Sequence, residues 1–222
     1  MIGSQFVNVG GGVQNIQDFF AGGNTLAGLD GDYEFQSKLL SWTGTGYDTY
    51  GWYAEGDGTD PEVDWPEADA KWILFDQTDI ADVNIKNGAG YWIQTMAAGE
   101  VTVSGEVPTG DSASVEVKSG LNLISNPFPV ATNIQDVKPS AEVPGLDADY
   151  EFSTKLLRWT GTGYDTYGWY AEGDGTDPEV DWPEADAKWI LFDQTDIADV
   201  TLNVGEGFWI QTTGSGSITF SK

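Results

Sequence analysis

The chain contains no cysteine and no histidine among its 222 residues. Without cysteine there is no disulfide bond, no thiol nucleophile and no thiolate metal site. Without histidine the chain lacks the commonest general base and the imidazole ligand. The sequence also shows no glycine-rich phosphate loop and no serine nucleophile motif. Pairs of carboxylates arise by chance in so acidic a chain, so we expect no catalytic residue and no enzyme.

Basic residues are also scarce. Nine lysines and arginines face 36 acidic residues, which leaves a net charge of -27. Phosphate backbones and anionic lipids repel such a chain, so nucleic acid is not an expected partner. No apolar run approaches the length of a membrane span, and we expect no membrane insertion. The expected partners are cations, basic surfaces, or other copies of this chain once cations screen the repulsion.

The first twelve residues, MIGSQFVNVGGG, have neither a basic region nor a long apolar region. We therefore expect that they do not form a signal peptide. The sequence fits either a cytosolic protein or the mature form of an exported one.

A long internal repeat dominates the sequence. Residues 42–83 recur without a change at 159–200, which lie 117 positions later. The motif NIQD occurs at 15–18 and 133–136, and residues 3–8 align with residues 120–125. We predict a β domain at 1–105 (copy 1), a linker or first strand at 106–117, and a second β domain at 118–222 (copy 2). Identical sequences would also permit a strand to be exchanged between the copies.

Glycine-rich turns between aromatic runs indicate an all-β fold. Residues 33–42 and 47–55 flank a Gly-Thr-Gly turn and predict a hairpin, with Gly44 and Gly46 at positive φ. Short strands are also predicted at 4–9, 71–76, 91–95 and 121–125, with a closing strand at 101–105 or at the C-terminus. Asn15 is a predicted helix N-cap. We expect each copy to be a small β-sandwich or a partly open barrel.

Three motifs of copy 2 carry a resemblance. They are GLNLISNPF at 120–128, WTGTGY at 159–164 and GEGFWIQ at 205–211. Together they resemble tandem domains of secreted surface proteins from environmental bacteria. Copy 1 departs from the pattern at its opening and carries GAGYW in place of GEGFW. The resemblance implies export to the cell surface or the extracellular space, and a non-catalytic role there.

Each copy has one strongly acidic segment, at 55–70 and 172–187. Oxygen ligands at this density suit calcium, although Pro61 and Glu62 stand where an EF-hand loop needs a ligand and a glycine. The alternative is a solvated loop or an adaptation to salty water. Calcium is the one cofactor we consider. Its predicted ligands are Asp57, Asp60, Glu62 and Asp64, with Asp174, Asp177, Glu179 and Asp181 in copy 2.

Five tryptophans occur in each copy. Exposed aromatic rings can stack on sugars, whereas buried ones pack a small core or an interface. We predict an aromatic surface for self-association at Tyr50, Trp52, Trp65, Tyr167, Trp169 and Trp182.

Two identical surfaces on one chain suit head-to-tail contacts, which propagate when they do not close. The sequence therefore favours an extracellular structural subunit that self-associates into a filament, sheath or surface layer, with calcium relieving the repulsion. The alternative is a tandem carbohydrate-binding module, in which duplication raises avidity for a polysaccharide.

Overall fold

A computed structural model describes residues 1–3, 14–20, 25–28, 34–54, 65–76, 79–146, 151–171, 185–193 and 196–222. Their regular secondary structure is almost entirely β-strand, which confirms the predicted all-β fold. Within these ranges, no helix has the length and apolar character needed to cross a membrane.

Copy 1 contains seven described strands, one short helix and one 3₁₀ turn. The helix α1 is Ile16–Phe19, and the 3₁₀ turn is Pro66–Ala68. The strands are β1 (Ile2–Gly3), β2 (Gln14–Asn15), β3 (Ser37–Trp42), β4 (Tyr47–Tyr53), β5 (Lys71–Leu74), β6 (Asn84–Ile85) and β7 (Gly90–Thr95).

The remaining ten strands belong to copy 2 and the segment before it, with a 3₁₀ turn at Ile134–Asp136. They are β8 (Ser112–Val117), β9 (Gly120–Ser125), β10 (Thr132–Asn133), β11 (Val137–Pro139), β12 (Thr154–Trp159), β13 (Tyr164–Tyr170), β14 (Lys188–Leu191), β15 (Thr201–Leu202), β16 (Gly207–Thr212) and β17 (Gly216–Ser221).

Each copy is built on one antiparallel five-stranded sheet with the same strand order. In copy 1 the order is β1-β7-β3-β4-β5, and in copy 2 it is β9-β16-β12-β13-β14. Copy 2 adds a three-stranded sheet, β11-β17-β8. Short pairs, β2 with β6 and β10 with β15, complete the described sheets. The duplicated sequence therefore produces a duplicated topology.

The two sheets of copy 2 pack face to face, as in a β-sandwich. Trp189 and Phe208 of the five-stranded sheet share one buried cluster with Val137 of β11 and Ile218 and Phe220 of β17. The corresponding cluster of copy 1 is built from its own residues, among them Phe19, Phe20 and Trp72. Burial of these large aromatic side chains stabilises both cores, because each removes a large apolar area from water.

The predicted hairpin is present in both copies. In copy 1, β3 and β4 pair from Lys38 opposite Gly51 to Trp42 opposite Tyr47. Gly44 in the turn has a φ of 104°, a conformation that residues with a Cβ rarely adopt. Gly46 is not at positive φ, contrary to the prediction, so one left-handed residue suffices for this turn. Asn15 caps α1 as predicted, since its side chain accepts a hydrogen bond from Gln17 N–H (2.9 Å).

The closing strand forms in copy 2 but not in copy 1. Residues 216–221 are the strand β17, whereas the predicted strand at 101–105 is not a strand in the structure. The reason lies in pairing, because β17 is held on both sides, by β8 and β11. The segment predicted as a linker or first strand thus supplies β8, which completes a sheet of copy 2. The predicted opening strand at 4–9 lies outside the described residues.

The strand pairing corrects one part of the repeat alignment. Gly3 lies opposite Gly90 on β7, and Ser125 lies opposite Gly207 on β16. Gly90 and Gly207 are equivalent positions of the repeat. Gly3 therefore corresponds to Ser125 and not to Gly120, because similarity over six residues is too weak to set a register that backbone pairing decides.

Candidate functional site: the junction of the two copies

The two copies contact each other through equivalent segments, which we call the junction: residues 2–3 and 88–90 of copy 1 with residues 123–125 and 205–207 of copy 2. Gly3 N–H donates to Gly205 O (2.9 Å), and Ser125 N–H donates to Gly88 O (2.8 Å). These two hydrogen bonds join equivalent pairs of atoms in opposite directions. The copies are therefore related by a pseudo-twofold axis, as in an isologous dimer.

Bridges between β-residues repeat this symmetry. Ile2 bridges Glu206, and Ile124 bridges Ala89. Ile2 corresponds to Ile124, and Ala89 corresponds to Glu206, by the strand registers and the repeat. Each copy therefore contributes the same backbone contacts to the junction, and every contact occurs twice, once in each direction.

Six aromatic side chains surround the pseudo-twofold axis and form what we call the aromatic cluster: Trp42, Tyr47, Trp92, Trp159, Tyr164 and Trp209. Its two contacts between copies are equivalent. The ring centroids of Trp42 and Trp209 lie 5.4 Å apart, and those of Trp92 and Trp159 lie 5.7 Å apart, both edge to face. Edge-to-face pairs of this kind stabilise beyond their buried area, because ring edges and faces carry opposite partial charges.

The tyrosines complete the aromatic cluster at its solvent side. Tyr47 packs on Trp42 and Tyr164 packs on Trp159, each at 5.0 Å between centroids. Tyr47 and Tyr164 are 41% and 42% exposed. Burial raises the pKa of Tyr47, and the neighbouring Tyr164 raises it further, while a hydrogen bond from Trp92 opposes both. The aromatic cluster therefore presents two half-exposed tyrosine rings to solvent beside its packed tryptophans.

One ion pair of the junction has no counterpart in copy 1. Arg158 donates from Nε to Glu206 Oε1 and from Nη2 to Glu206 Oε2, the second bond at 3.1 Å. Asn203 adds backbone and side-chain donors to the same carboxylate, at 3.0 and 2.9 Å. The equivalent positions in copy 1 are Ser41 and Ala89, so the pair distinguishes the two copies.

The Glu206 carboxyl has a lowered pKa. Burial alone would raise it, but the hydrogen bonds from Arg158 and Asn203 outweigh burial and lower the pKa below the usual range of a glutamate. A carboxyl with a depressed pKa in the folded state stabilises the fold above its unfolded pKa, and this contribution is lost as the pH falls through the folded pKa.

We expect Glu206→Gln to lower the free energy of unfolding by about 1 kcal/mol at neutral pH, because it removes a bidentate ion pair that is largely shielded from water. The deficit should shrink as the pH falls below about 4.3, the ordinary glutamate value. Urea unfolding at a series of pH values measures it. Glu116→Gln, at an exposed position of β8, is the control for the change in charge. A deficit that stays constant down to pH 3 would contradict the assignment.

Most of the predicted aromatic surface is buried. Tyr50, Trp52, Tyr167 and Trp169 are 4–6% exposed and belong to the two main core clusters. The prediction that these four form a surface is wrong, because alternate residues of β4 and β13 face the core and the small sandwich fills its interior with aromatics. Trp65 is partly buried against a smaller cluster that contains Phe35 and Tyr53. Trp182 lies outside the described residues.

The predicted calcium ligands all lie outside the described residues: Asp57, Asp60, Glu62, Asp64, Asp174, Asp177, Glu179 and Asp181. Calcium binding by the acidic segments stays a prediction. Within the described ranges, no group of three or more acidic side chains is arranged to hold a metal ion.

The sequence-based prediction missed the aromatic cluster as a site, although it noted every one of its tryptophans. A usable signal existed. Trp42 and Tyr47 flank the hairpin turn, and both are less buried than Tyr50 and Trp52 farther along β4. The same holds for Trp159 and Tyr164 in copy 2. Position relative to the turn separates these four rings from the core rings, whereas Trp92 and Trp209 lie within β7 and β16 and carry no such signal.

No protein-family model, no curated protein sequence and no solved structure matches this chain.

Proposed function

We propose that this chain is an extracellular structural subunit, without enzymatic activity, that self-associates into a filament, sheath or surface layer. The observation that carries the proposal is self-recognition at the junction, and the edge of β8, which pairs with β17 alone among the described strands, supports growth. The repeated unit recognises its own duplicate through backbone hydrogen bonds and paired tryptophans, so self-recognition is a property of the unit. Export is supported by the resemblance of copy 2 to surface-protein domains.

The pseudo-twofold geometry changes how such an assembly would grow. An isologous contact closes on itself and does not propagate. The junction therefore makes one compact subunit out of two copies, and a polymer needs a second contact elsewhere on the surface.

The sheet edges point to β8 as that contact. The outer edges of β5 and β14 are covered by their own following turns, through Leu74 N–H to Asp79 O and Leu191 N–H to Asp196 O. The strands β1 and β9 are occupied at the junction. The edge strand β11 has three residues and ends in Pro139, which cannot donate a hydrogen bond.

The strand β8 differs from these edges. It has six residues, contains neither proline nor lysine, and among the described strands pairs with β17 alone. Its exposed residues alternate with partly buried ones, as in a strand with one covered face. An edge of this length and composition accepts an added strand from a neighbouring molecule. The net charge of -27 opposes close approach, and divalent cations would screen it.

Negative-stain electron microscopy in millimolar calcium, beside a chelated sample, tests the proposal. We expect ordered filaments or sheets with calcium and their loss on chelation. Ser114→Lys places a lysine on the β8 edge and should abolish assembly. Ser221→Lys makes the same change at an exposed position of the central strand β17 and should leave assembly intact. Dispersed particles in both the calcium and the chelated sample would overturn the proposal.

The half-exposed Tyr47 and Tyr164 favour a second candidate function, binding of a polysaccharide. Two tyrosine rings flanking a tryptophan base could stack on sugar rings. Titration of soluble glycans, followed by tryptophan fluorescence, distinguishes this function. A saturable shift that is lost in Tyr47→Ala/Tyr164→Ala would support it, and a flat response across a glycan panel would exclude it.

A further inference from the structure

Gly3 and Ser125 occupy equivalent positions and meet at the pseudo-twofold axis. A Cβ placed on Gly3 would lie 2.1 Å from Ser125 Cβ and 2.5 Å from Ser125 Oγ. Non-bonded carbons pack at about 3.5–4.0 Å, so the two positions cannot both carry a side chain. The junction has space for one Cβ at its centre, and Ser125 fills it.

Ser125 is completely buried and makes a specific contact there. Its Oγ donates to Ala89 O across the junction (3.0 Å), beside the hydrogen bond from its own N–H to Gly88 O. Ser125 is thus an integral part of the contact surface of copy 2. Copy 1 carries the matching glycine.

A consequence follows for the partners that each surface accepts. A second copy 2 surface would place serine against serine at the axis, which the 2.1 Å separation forbids. A copy 1 surface places glycine there and fits. The two copies therefore differ at the position, Gly3 or Ser125, that decides which surfaces can pair.

We propose that Gly3 and Ser125 form a one-serine lock, through which the junction surface of copy 2 accepts a copy 1 surface and rejects another copy 2 surface. The partner that fits this surface is copy 1, either of the same chain or of a second chain that exchanges it. The lock concerns the junction, whereas the proposed assembly grows through β8. An experiment that contradicts pairing at the junction therefore does not contradict growth through β8, and the reverse also holds.

The test uses the full chain and three variants. Gly3→Ser adds the second serine, and Gly3→Ser/Ser125→Gly exchanges the two residues. In the exchanged variant the new serine would lie near Glu206 O, which is 3.2 Å from the Cβ position of Gly3 and corresponds to Ala89 O. Gly46→Ser is the matched control, because a Cβ on Gly46 meets nothing within 4 Å.

Two measurements report the junction directly. Trp42 Nε1–H donates to Leu121 O of copy 2 (2.6 Å), so hydrogen exchange of this indole proton by NMR reports opening. Near-ultraviolet circular dichroism reports the coupled pairs Trp42–Trp209 and Trp92–Trp159. We expect Gly3→Ser to accelerate the exchange about tenfold or more and to reduce the dichroism. The exchanged variant and Gly46→Ser should match the parent chain.

Three results would overturn the lock. The first is unchanged exchange and dichroism in Gly3→Ser. The second is failure of the exchanged variant to recover the parent values, which also covers the case in which Gly3→Ser does not fold. The third is a doubled mass of Gly3→Ser in multi-angle light scattering with the Trp42 proton exchanging freely, because that would show copy 2 pairing with copy 2 after copy 1 is released. Dilute, calcium-free solution keeps the test independent of assembly through β8.

Discussion

Gly168→Ala is expected to lower the free energy of unfolding by about 3 kcal/mol, at the upper end of the usual cost of overpacking. Gly168 is buried on β13, and a Cβ there would lie 2.3–2.4 Å from three atoms of the Phe152 ring. The ring cannot withdraw easily, because Phe152 is itself 5% exposed and belongs to a buried cluster with Tyr170 and Ile190. Urea unfolding followed by tryptophan fluorescence measures the change.

Gly163→Ala is the matched control for Gly168→Ala. Gly163 lies in the turn before β13, is not at positive φ, and has nothing within 4 Å of an added Cβ. It should change the stability by no more than about 0.5 kcal/mol. In a Phe152→Ala background, Gly168→Ala should cost almost nothing, because the clashing ring is gone. Equal costs with and without the Phe152 ring would show that steric overlap is not the cause.

Gln135→Leu is expected to cost about 3 kcal/mol, because it deletes three hydrogen bonds and leaves a buried donor without its acceptor. Gln135 Nε2 donates to Trp189 O and Ala198 O, each at 2.7 Å, and its Oε1 accepts from Trp189 N–H at 3.1 Å. One amide thereby ties the 3₁₀ turn to β14 and to the segment that returns along it. Leucine preserves the volume but makes none of these bonds.

Copy 1 provides an internal replicate of this prediction, and β16 provides a control. Gln17 makes the same three bonds to Trp72 and Ala81, so Gln17→Leu should cost a similar amount. Gln211→Leu makes the same change at an exposed position and should be nearly neutral. If urea unfolding shows that Gln135→Leu lowers the free energy of unfolding no more than Gln211→Leu does, the hydrogen bonds of Gln135 do not stabilise the fold.

The contact between the two copies differs from the one that the sequence predicts. Identical copies were a reason to expect head-to-tail contacts that propagate. In the structure the copies turn equivalent surfaces toward each other, and this arrangement closes. Self-recognition by the unit is retained as the basis of the proposed function, but growth is assigned to a different surface, the β8 edge.

Features that depend on a few neighbouring residues could be predicted from the sequence. The hairpin of β3 and β4 follows from aromatic strands on either side of a glycine turn, and its positive φ falls on Gly44. The cap at Asn15 follows from a short acceptor side chain placed just before a helical turn. The strand β8 lies within residues 106–117, which the sequence predicts as a linker or first strand.

Errors arose where pairing partners or neighbours decide the outcome. Residues 101–105 have the composition of a strand, yet that composition does not supply the two partners that hold β17 in copy 2. Tyr50 and Trp52 have the same residue types as Tyr47 and Trp42, and the strand alternation does not say which face the core covers. Only the position in the folded sheet separates core rings from junction rings.

The all-β class, the duplication, the hairpins and the acidic character of the chain could all be predicted from the sequence. These follow from turn chemistry, residue periodicity and composition, which act over a few residues at a time. The tertiary structure alone decided that Gly3 corresponds to Ser125, that the copies pair about a pseudo-twofold axis, and that six aromatics meet there. Those features depend on contacts between residues distant in the sequence, from 37 positions for Ser125 and Gly88 to 202 for Gly3 and Gly205, where backbone pairing and the fit of single side chains outweigh any local preference.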